Sequence, residues 1–385
     1  MQAALVWRPD LAAYDFGAGH PLDPVRVTLS VSLMREYGIP PAEALIRPDG
    51  ADEAALELVH DADYIAAVRE ASAAPARFVP RMGLGTSDDP VFPGMHEASA
   101  LVCGASIAAL SAVLDEHVPR AFSMAGGLHH AHRSRAAGFC VYNDPAVAIA
   151  VARRDHPGLK VLYVDVDAHH GDGVQEAFYD SAEVMTISLH ETGAYLFPGT
   201  GFANEVGEGA GTGYAANVPL PPWATDECYR LAFDGVVEPL AQAFRPDVIV
   251  AQLGVDAHHS DPLTQLGLTL PGYRWLVKRI IGLADGLCRG RLCALGGGGY
   301  SAHTVVPRAW TWVMAALAGE ELPDELPESW RAQVRGFIKC EPPSTLGADD
   351  TFSLPGARRQ QVVDETRTSV RGTRRAVFPH LGLTP

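Results

Sequence analysis

The stretch VDVDAHHGDG, residues 164–173, places three carboxylates and two imidazoles directly after an apolar run. Carboxylates and imidazoles bind divalent metal ions and exchange protons in general acid–base catalysis. Residues two apart on a strand face the same side, so Asp165, Asp167 and His169 can share one side where the strand ends. Because a buried, unpaired carboxylate is costly, we expect a metal ion, histidines or both to neutralise this group.

A second apolar segment ends in the same way. The run VIVAQLGVDAHHSDPL, residues 248–263, supplies Asp256. A site made of Asp167, His169 and Asp256 offers three oxygen and nitrogen ligands with open positions, which is typical of a catalytic rather than a structural zinc. The alternative that these segments leave open is a network of hydrogen bonds without a metal.

Two further motifs favour an enzyme. LHHAHRSRAAGFCVYND, residues 128–144, supplies adjacent His129 and His130, and LGGGGYSAHTVVPRAW, residues 295–310, supplies Tyr300 after four glycines. Glycines allow the backbone to approach a reacting centre without obstruction by side chains. Each motif alone is weak, but their joint occurrence at predicted strand ends indicates catalysis.

The elements that must position these residues are predicted strands that alternate with long helices. Six apolar segments predict strands: 3–6, 120–125, 160–167, 184–190, 247–256 and 291–297. Four segments between them predict helices: 93–116, 144–155, 225–244 and 271–288. This alternation predicts an α/β fold built from βαβ units with a parallel sheet. Ligands bind at the carboxyl edge of such sheets, which is where the motifs lie.

The chain is expected to form a single domain over residues 1–385. Its catalytic core is predicted to span about residues 1–320. After that the composition becomes polar and proline-rich, so residues 321–385 are expected to be a C-terminal extension that wraps the surface or is partly mobile. Two glycine- and proline-rich segments, 85–95 and 190–201, are long enough to be functional loops.

Composition limits the classes of function. With 47% hydrophobic and 20% charged residues, the 385-residue chain can bury a large core. We find no apolar run of roughly 18 residues and no secretory start, and therefore expect a cytoplasmic protein without membrane contact. A net charge of −16 argues against nucleic-acid binding and is compatible with a cationic substrate. Six scattered cysteines lack a CxxC pair, which predicts reduced, buried thiols.

Together with GHPLDPVR at residues 19–26 and FPGTG at residues 197–201, these ordered motifs resemble the zinc-dependent histone deacetylase family. The resemblance is to its class I-like bacterial branch, the acetoin-utilization deacetylases, and covers roughly residues 14–318. It implies the arginase/deacetylase fold, an α/β, three-layer αβα architecture with a central eight-stranded parallel sheet and the active site at the C-terminal strand ends. It also implies Zn²⁺, with Fe²⁺ as an alternative in the cell, and structural K⁺.

Carried over to this sequence, the resemblance implies distinct roles within the motifs. Asp167, His169 and Asp256 would hold the zinc. His130 would take a proton from the attacking water and would then protonate the leaving amine. The hydroxyl of Tyr300 would stabilise the oxyanion.

Two further carboxylates are implied to orient the paired histidines. Asp165 would hold His129 and Asp172 would hold His130, each fixing a tautomer. His129 would then serve mainly as an electrostatic partner. His170 matches no position with a clear role.

The resemblance also implies an acyl-lysine channel, which comprises Asp88, Gly138, Phe139, Phe197, Leu263 and Arg26. Phe139 and Phe197 match two aromatic walls whose apolar faces suit a neutral four-carbon stem. Asp88 matches a rim aspartate that holds the substrate backbone, although the loop also offers Asp89. Arg26 matches an arginine that lines an inner cavity for the release of acetate.

Two potassium sites are implied as well. The first lies beneath the zinc and uses main-chain carbonyls of Asp165, Asp167, His169 and Leu189, with Ser188. The second matches Phe178, Ser181, Val184 and Tyr214. Four further histidines, His132, His258, His259 and His303, are expected to shape the rim or support the site rather than to bind metal.

The implied function is zinc-dependent hydrolysis of acetyl-lysine in proteins, and the favoured partner is an acetylated acyl-CoA synthetase. An acetylpolyamine deacetylase is the nearest alternative, because the catalytic residues can be identical and the acidic charge suits a polyamine. An arginase-type ureohydrolase would need two manganese ions, but Gly171 and His258 stand where further acids are expected. A non-catalytic acyl-lysine-binding regulator would have no use for His130 as a base.

Overall fold

The computed structural model describes residues 2–74 and 79–385. In these residues one sheet contains eight strands. The strands are β1 Ala3–Val6, β2 Leu45–Ile46, β3 Arg120–Ser123, β4 Val161–Asp165, β5 Val184–Glu191, β6 Ala215–Leu220, β7 Val248–Gln252 and β8 Leu292–Leu295. All neighbours pair in parallel, in the spatial order β2-β1-β3-β8-β7-β4-β5-β6. The carboxyl ends of the strands therefore share one edge.

Helices cover the sheet. They are α1 Val25–Glu36, α2 Glu53–Leu56, α3 Ala62–Ala73, α4 Met95–Leu114, α5 Asp144–Asp155, α6 Asp172–Ala177, α7 Asp226–Ala232, α8 Glu238–Phe244, α9 Leu270–Leu287, α10 Val305–Ala318, α11 Glu328–Val334 and α12 Gly356–Val377. One group packs α4 on β1, β3 and β8 beside α5, and another packs α10 on β1 and β3 beside α1 and α9. Strands β4 and β7 are buried at every position, as expected for a parallel sheet between helices.

The order of the strands explains why distant motifs meet. Four adjacent strands, β3, β8, β7 and β4, occupy the middle of the sheet. His130 follows β3, Tyr300 follows β8, Asp256 follows β7, and Asp167 and His169 follow β4. The predicted catalytic and metal-binding motifs therefore follow four neighbouring strands and meet at the carboxyl ends of those strands.

The six predicted strands and four predicted helices are confirmed, and the eight-stranded parallel sheet is present. The predicted helix at 225–244 consists of α7 and α8 joined by a π-helical segment, Phe233–Val237. Two strands were not predicted from the sequence. Strand β2 has only two residues, and β6 carries Asn217 and Pro219, which have low strand propensity but are tolerated at a sheet edge.

The C-terminal extension is more regular than expected, because it contains α11 and α12. Helix α12 packs against β6 and α7. The Thr373 hydroxyl donates to the carbonyl of Asn217 (2.5 Å), and the Ser369 hydroxyl donates to the carbonyl of Pro219 (2.5 Å). The helix therefore protects an edge strand that would otherwise present unpaired backbone groups. The division into a core to about residue 320 and an extension within a single domain stays a prediction.

Two expectations from composition need correction. Helix α4 is long and apolar enough to cross a membrane by length and composition, so the expectation that the chain has no such apolar run was wrong. It is largely buried inside the fold, as a core helix is. Five cysteines are free and buried as predicted, but Cys340 is exposed because it lies in the polar loop after α11.

Candidate active site

Asp167, His169 and Asp256 form a compact, buried cluster. Nδ1 of His169 lies 3.2 Å from Oδ1 of Asp167 and 2.9 Å from Oδ2 of Asp256. Burial and the charge of Asp167 raise the pKa of Asp256 to about 8, because two buried carboxylates this close repel each other. A divalent cation removes this conflict, and two carboxylates with one imidazole are suitable ligands for zinc or iron. The cluster therefore fits the implied metal ion.

Glycines allow the backbone to close around this cluster. A Cβ atom on Gly298 would lie 2.0 Å from Oδ2 of Asp256, and one on Gly254 would lie 2.1 Å from Oδ2 of Asp167. The backbone N–H of Gly298 instead donates to Oδ2 of Asp167 (2.6 Å), and so does the side-chain amide of Gln252 (2.7 Å). Gly254 and Gly298 thus leave room for the carboxylates of Asp167 and Asp256, which a larger residue would displace.

His129 is held in a charged state by the carboxylates around it. Its Nδ1 donates to Oδ2 of Asp165 (2.8 Å), and Asp165 also accepts from the hydroxyl of Tyr163 (2.9 Å). Although burial opposes it, the charges of Asp165 and Asp167 raise the pKa of His129 to about 9. Protonated His129 then donates from Nε2 to Nε2 of His130 (3.0 Å).

His130 is held in the opposite state. Burial and the charge of His129 lower the pKa of His130 to about 3, so the ring is neutral near pH 7. Nδ1 of His130 donates to Oδ1 of Asp172 (2.7 Å), which leaves the lone pair on Nε2. Asp172 also contacts Nε2 of His132 (3.2 Å). A neutral imidazole with a fixed tautomer is the form that a general base requires.

Tyr300 reaches the same edge through the glycine run. Its backbone N–H donates to Oδ2 of Asp261 (2.8 Å), and its ring centroid lies 6.3 Å from that of His169 and 5.7 Å from that of Phe139. Gly299, just before it, has φ +146°, a conformation that L side chains rarely adopt. Burial raises the pKa of Tyr300, so its hydroxyl stays protonated and can donate a hydrogen bond.

The two aromatic side chains predicted for the channel lie next to the histidines. The ring of Phe197 is 5.0 Å from that of His130, and Phe139 is on the side of Tyr300. Gly138 has φ +56°, and a Cβ there would lie 2.5 Å from the His130 ring and 2.8 Å from the Phe197 ring. Only glycine fits at this narrow point, which explains its place in the motif.

The other predicted channel residues lie at the rim or behind the glycine run. Asp88 is exposed and Asp89 is buried, so Asp88 is the residue of this pair that lies at the surface. Leu263 is 36% exposed. Arg26 is buried and donates to the carbonyls of Gly297 (2.7 Å) and Gly299 (3.4 Å), so it also holds the run that carries Tyr300. Its part in acetate release stays a prediction.

The predicted potassium ligands fall into two separate places. Asp165, Asp167 and His169 lie at or after the end of β4, and Ser188 pairs with Asp165 across to β5, where Leu189 follows. The second set lies near the amino-terminal ends of the strands, whereas the first set lies near their carboxyl ends. Val184 begins β5, Tyr214 precedes β6, and Phe178 and Ser181 follow α6. Both potassium sites stay predictions.

Several residues around the site were not predicted to act there. Gln252 donates to the carboxylate of Asp167, and Asp261 accepts from the backbone N–H of Tyr300. Both lie within the quoted motif at 248–263, so a polar residue in a buried strand and a second aspartate beyond it were the available signals. His170 bonds to the side chains of Thr200 (2.8 Å) and Gln175 (3.1 Å), which ties the 190–201 loop to α6.

Comparison with known proteins agrees with this geometry. The Histone deacetylase domain model matches residues 20–317. The chain belongs to the histone deacetylase family. It is 39% identical to the acetoin utilization protein AcuC of Bacillus subtilis (strain 168) over 370 residues, 96% of this chain and 95% of the relative. It is 36% identical to AcuC of Staphylococcus xylosus over 360 residues, 93% of each chain.

Solved structures support the same assignment. The fold matches the crystal structure of an HDAC homolog from Aquifex aeolicus with a TM-score of 0.83 and 31% sequence identity, covering 95% of this chain and all of that one. An HDAC homolog complexed with SAHA matches equally well. This deacetylase-family protein is therefore a hydrolase of the acetoin-utilization branch with the arginase/deacetylase fold.

Proposed function

We propose that this hydrolase is a zinc-dependent protein deacetylase that cleaves the acetyl amide of acetyl-lysine and releases acetate. The observation that carries the proposal is the placement of His130, bonded through Nδ1 to Asp172, and of Tyr300 beside the buried group Asp167, His169 and Asp256, which could hold a metal ion. An amide hydrolase needs a base for the attacking water and a donor for the developing oxyanion, and these two side chains supply them.

The roles of the side chains follow from their hydrogen bonds. Asp167, His169 and Asp256 would hold a divalent metal ion, which would supply Lewis-acid polarisation of the amide carbonyl. His130 accepts the proton of the attacking water at Nε2, where the water replaces the hydrogen bond from His129, and Asp172 stabilises the resulting imidazolium through Nδ1. His130 then delivers this proton to the lysine amine as the amide bond breaks, so the proton balance closes within one side chain.

His129 and Tyr300 stabilise charge states and do not transfer a proton. Burial, together with the positive charge of His129 at 3.0 Å from Nε2 of His130, keeps His130 neutral before water attacks. The hydroxyl of Tyr300 donates to the carbonyl oxygen as negative charge develops there. Phe139 and Phe197 exclude water from the lysine stem on both sides.

The proposed partner and location rest on the family resemblance. An acyl-CoA synthetase inactivated by acetylation of a lysine is the proposed substrate, and the cytoplasm is the proposed compartment. Iron in place of zinc is compatible with the same donor set.

Acetylpolyamines are the second candidate substrate class, because an acidic cavity lies beside the channel. This cavity of about 440 Å³ adjoins the channel wall at Phe197 and is lined by four carboxylates, Asp172, Glu176, Glu205 and Glu208, which outnumber its cationic groups, Arg135 and His132. Such a lining attracts a second ammonium group close to the scissile amide. Neutral acetyl-lysine peptides gain little from it, so the two substrate classes are separable by charge.

The deciding experiment compares acetyl-lysine peptides, acetylated polyamines and guanidino compounds on one sample with measured metal content. We expect acetate from the peptides, one metal ion per chain, and joint loss of zinc and activity in Asp256→Asn. Asp63→Asn, an exposed carboxylate on α3, is the matched control and should retain both. Faster hydrolysis of the polyamines would favour the second candidate, and release of urea with two metal ions per chain would overturn both.

A further inference from the structure

Asp350, in the C-terminal extension between α11 and α12, contacts the loop that follows the metal-binding strand β7. Its Oδ2 accepts from Nε2 of His258 (2.9 Å) and from the backbone N–H of Leu270 (2.7 Å), and its Oδ1 accepts from Nε2 of His259 (3.0 Å). Phe352, two residues later, stacks on the ring of His259 at 5.3 Å. The extension is thus bonded to a segment that begins two residues after Asp256.

The contacts of His258 exclude the simplest alternative. His258, His259 and Asp350 lie close enough together to suggest a second metal site. However, the backbone N–H of Ser260 donates to Nδ1 of His258 (3.2 Å), so Nδ1 is an acceptor and the proton of the neutral ring is on Nε2. That proton points at Asp350, and a metal ion at Nε2 would require Nδ1 to take the proton and to lose the hydrogen bond from the Ser260 backbone. The cluster is therefore a set of hydrogen bonds to one carboxylate.

The loop held by Asp350 leads directly to Tyr300. The backbone N–H of Asp261 donates to the carbonyl of His258 (2.8 Å), and Oδ2 of Asp261 accepts from the backbone N–H of Tyr300 (2.8 Å). A parallel path runs from Ser260, whose carbonyl accepts from the hydroxyl of Ser301 (3.0 Å). The first path starts at His258, the second starts at Ser260, whose backbone N–H bonds to His258, and they end at Tyr300 and Ser301.

We propose that Asp350 is a positioning residue, which acts through His258 and Asp261 to fix the position of the Tyr300 hydroxyl. The C-terminal extension is then part of the active site. The inference rests on the proposed function, because it assigns the effect to the step in which Tyr300 stabilises the oxyanion. The carboxylate touches no reacting atom. We expect its effect mainly on the rate of the chemical step, since the aromatic walls Phe139 and Phe197 lie on other loops and, of the predicted channel residues, only Leu263 shares the loop of Asp261.

The test replaces Asp350 with asparagine, whose amide nitrogen cannot accept from the imidazole N–H groups. We expect kcat on an acetyl-lysine peptide to fall about tenfold, less than the ~10²-fold that a 1 Å misplacement can cost. KM and metal content should stay near wild type. Asp349→Asn is the matched control, because this neighbouring carboxylate is exposed and accepts from Thr345 rather than from the loop.

A double-mutant cycle separates positioning from general damage. If Asp350 acts through Tyr300, then Asp350→Asn should change kcat by less than about twofold in a Tyr300→Phe background. An equal loss in both backgrounds, or full kcat in the single variant, would overturn the proposal. Should Asp350→Asn not fold, Ser301→Ala interrupts the path next to Tyr300, and its loss of kcat must likewise disappear in the Tyr300→Phe background.

Hydrogen exchange keeps this inference distinct from the proposed function. Backbone exchange in residues 256–264 and 296–301 should increase in Asp350→Asn and not in Asp349→Asn. Inactivity of the wild-type protein on acetyl-lysine peptides would contradict the proposed function. Unchanged hydrogen exchange in Asp350→Asn would instead contradict the coupling of Asp350 to Tyr300.

Discussion

The two histidine–aspartate pairs at the site have the same chemical composition and opposite electrostatics. His129 with Asp165 and His130 with Asp172 are each joined by an Nδ1-to-carboxylate bond, at 2.8 and 2.7 Å. Yet the pKa of His129 is raised to about 9 and that of His130 is lowered to about 3. A short hydrogen bond to an aspartate therefore does not decide the protonation state of an imidazole.

The difference comes from what lies beyond each pair. His129 also faces Asp167, at 3.9 Å from its Nε2, so two carboxylates favour its charged form. His130 faces the charge of His129 instead, and burial then favours its neutral form. One pair thus favours a positively charged imidazole, and the other favours a neutral imidazole that can accept a proton.

The largest effect that separates the pairs is expected from removal of the base. His130→Ala should lower kcat by ~10²-fold or more with metal retained, because proton transfer to and from the reacting groups is lost. His129→Ala should cost less, since it removes a charge and no proton acceptor. Steady-state rates at measured metal content test this. Greater damage from His129→Ala would mean that the two histidines have exchanged roles.

An intermediate effect is expected from neutralising one orienting carboxylate. In Asp165→Asn, His129 loses the charge that holds its proton, so the pKa of His130 should rise from its depressed value. Activity that depends on neutral His130 falls as pH drops through that pKa, so the acidic limb of the kcat profile should move upward by about one pH unit or more. An acidic limb at the wild-type position would show that the charge of His129 does not control His130.

The smallest effect concerns Asp89, a buried carboxylate whose Oδ1 has no hydrogen-bond partner among the described residues. Burial, followed by the charge of Asp88, raises the pKa of Asp89 to about 8. A raised carboxyl pKa means that stability is complete below the unfolded value, near ~3.9, and is lost as pH rises toward 8.

Asp89→Asn should therefore increase the free energy of unfolding at about pH 8.5 by on the order of 1–2 kcal/mol, and by less at about pH 5.5. Urea unfolding of both proteins at the two pH values measures this difference. A difference that does not change with pH would contradict the assignment of the effect to ionisation of Asp89.

The sequence was sufficient for the centre of the molecule and less so for its margins. Apolar runs before Asp165 and Asp256 predict central strands, because strands buried on both faces are hydrophobic throughout. Strand β6, with Pro219, lacks that signal because it lies at an edge and is completed by α12. The family resemblance supplied roles for His129, His130 and Tyr300 that residue types alone leave open.

Contacts between distant segments account for what was missed. Asp350 reaches His258 across 92 positions of sequence, and no local pattern around either residue signals the pairing. The opposite charge states of His129 and His130 likewise depend on distances between loops that follow different strands. Such features require the folded arrangement, since spacing in sequence does not contain them.

The most direct test of amide hydrolysis at this site is single-turnover acetate release from an acetyl-lysine peptide by wild type and Tyr300→Phe at matched metal content. The substitution keeps the ring and removes only the hydroxyl donor. We predict unchanged peptide affinity and metal content with a rate lower by ~10²- to 10³-fold, because a hydrogen bond made mainly in the transition state lowers kcat. An unchanged rate would contradict the assignment of Tyr300 to the oxyanion.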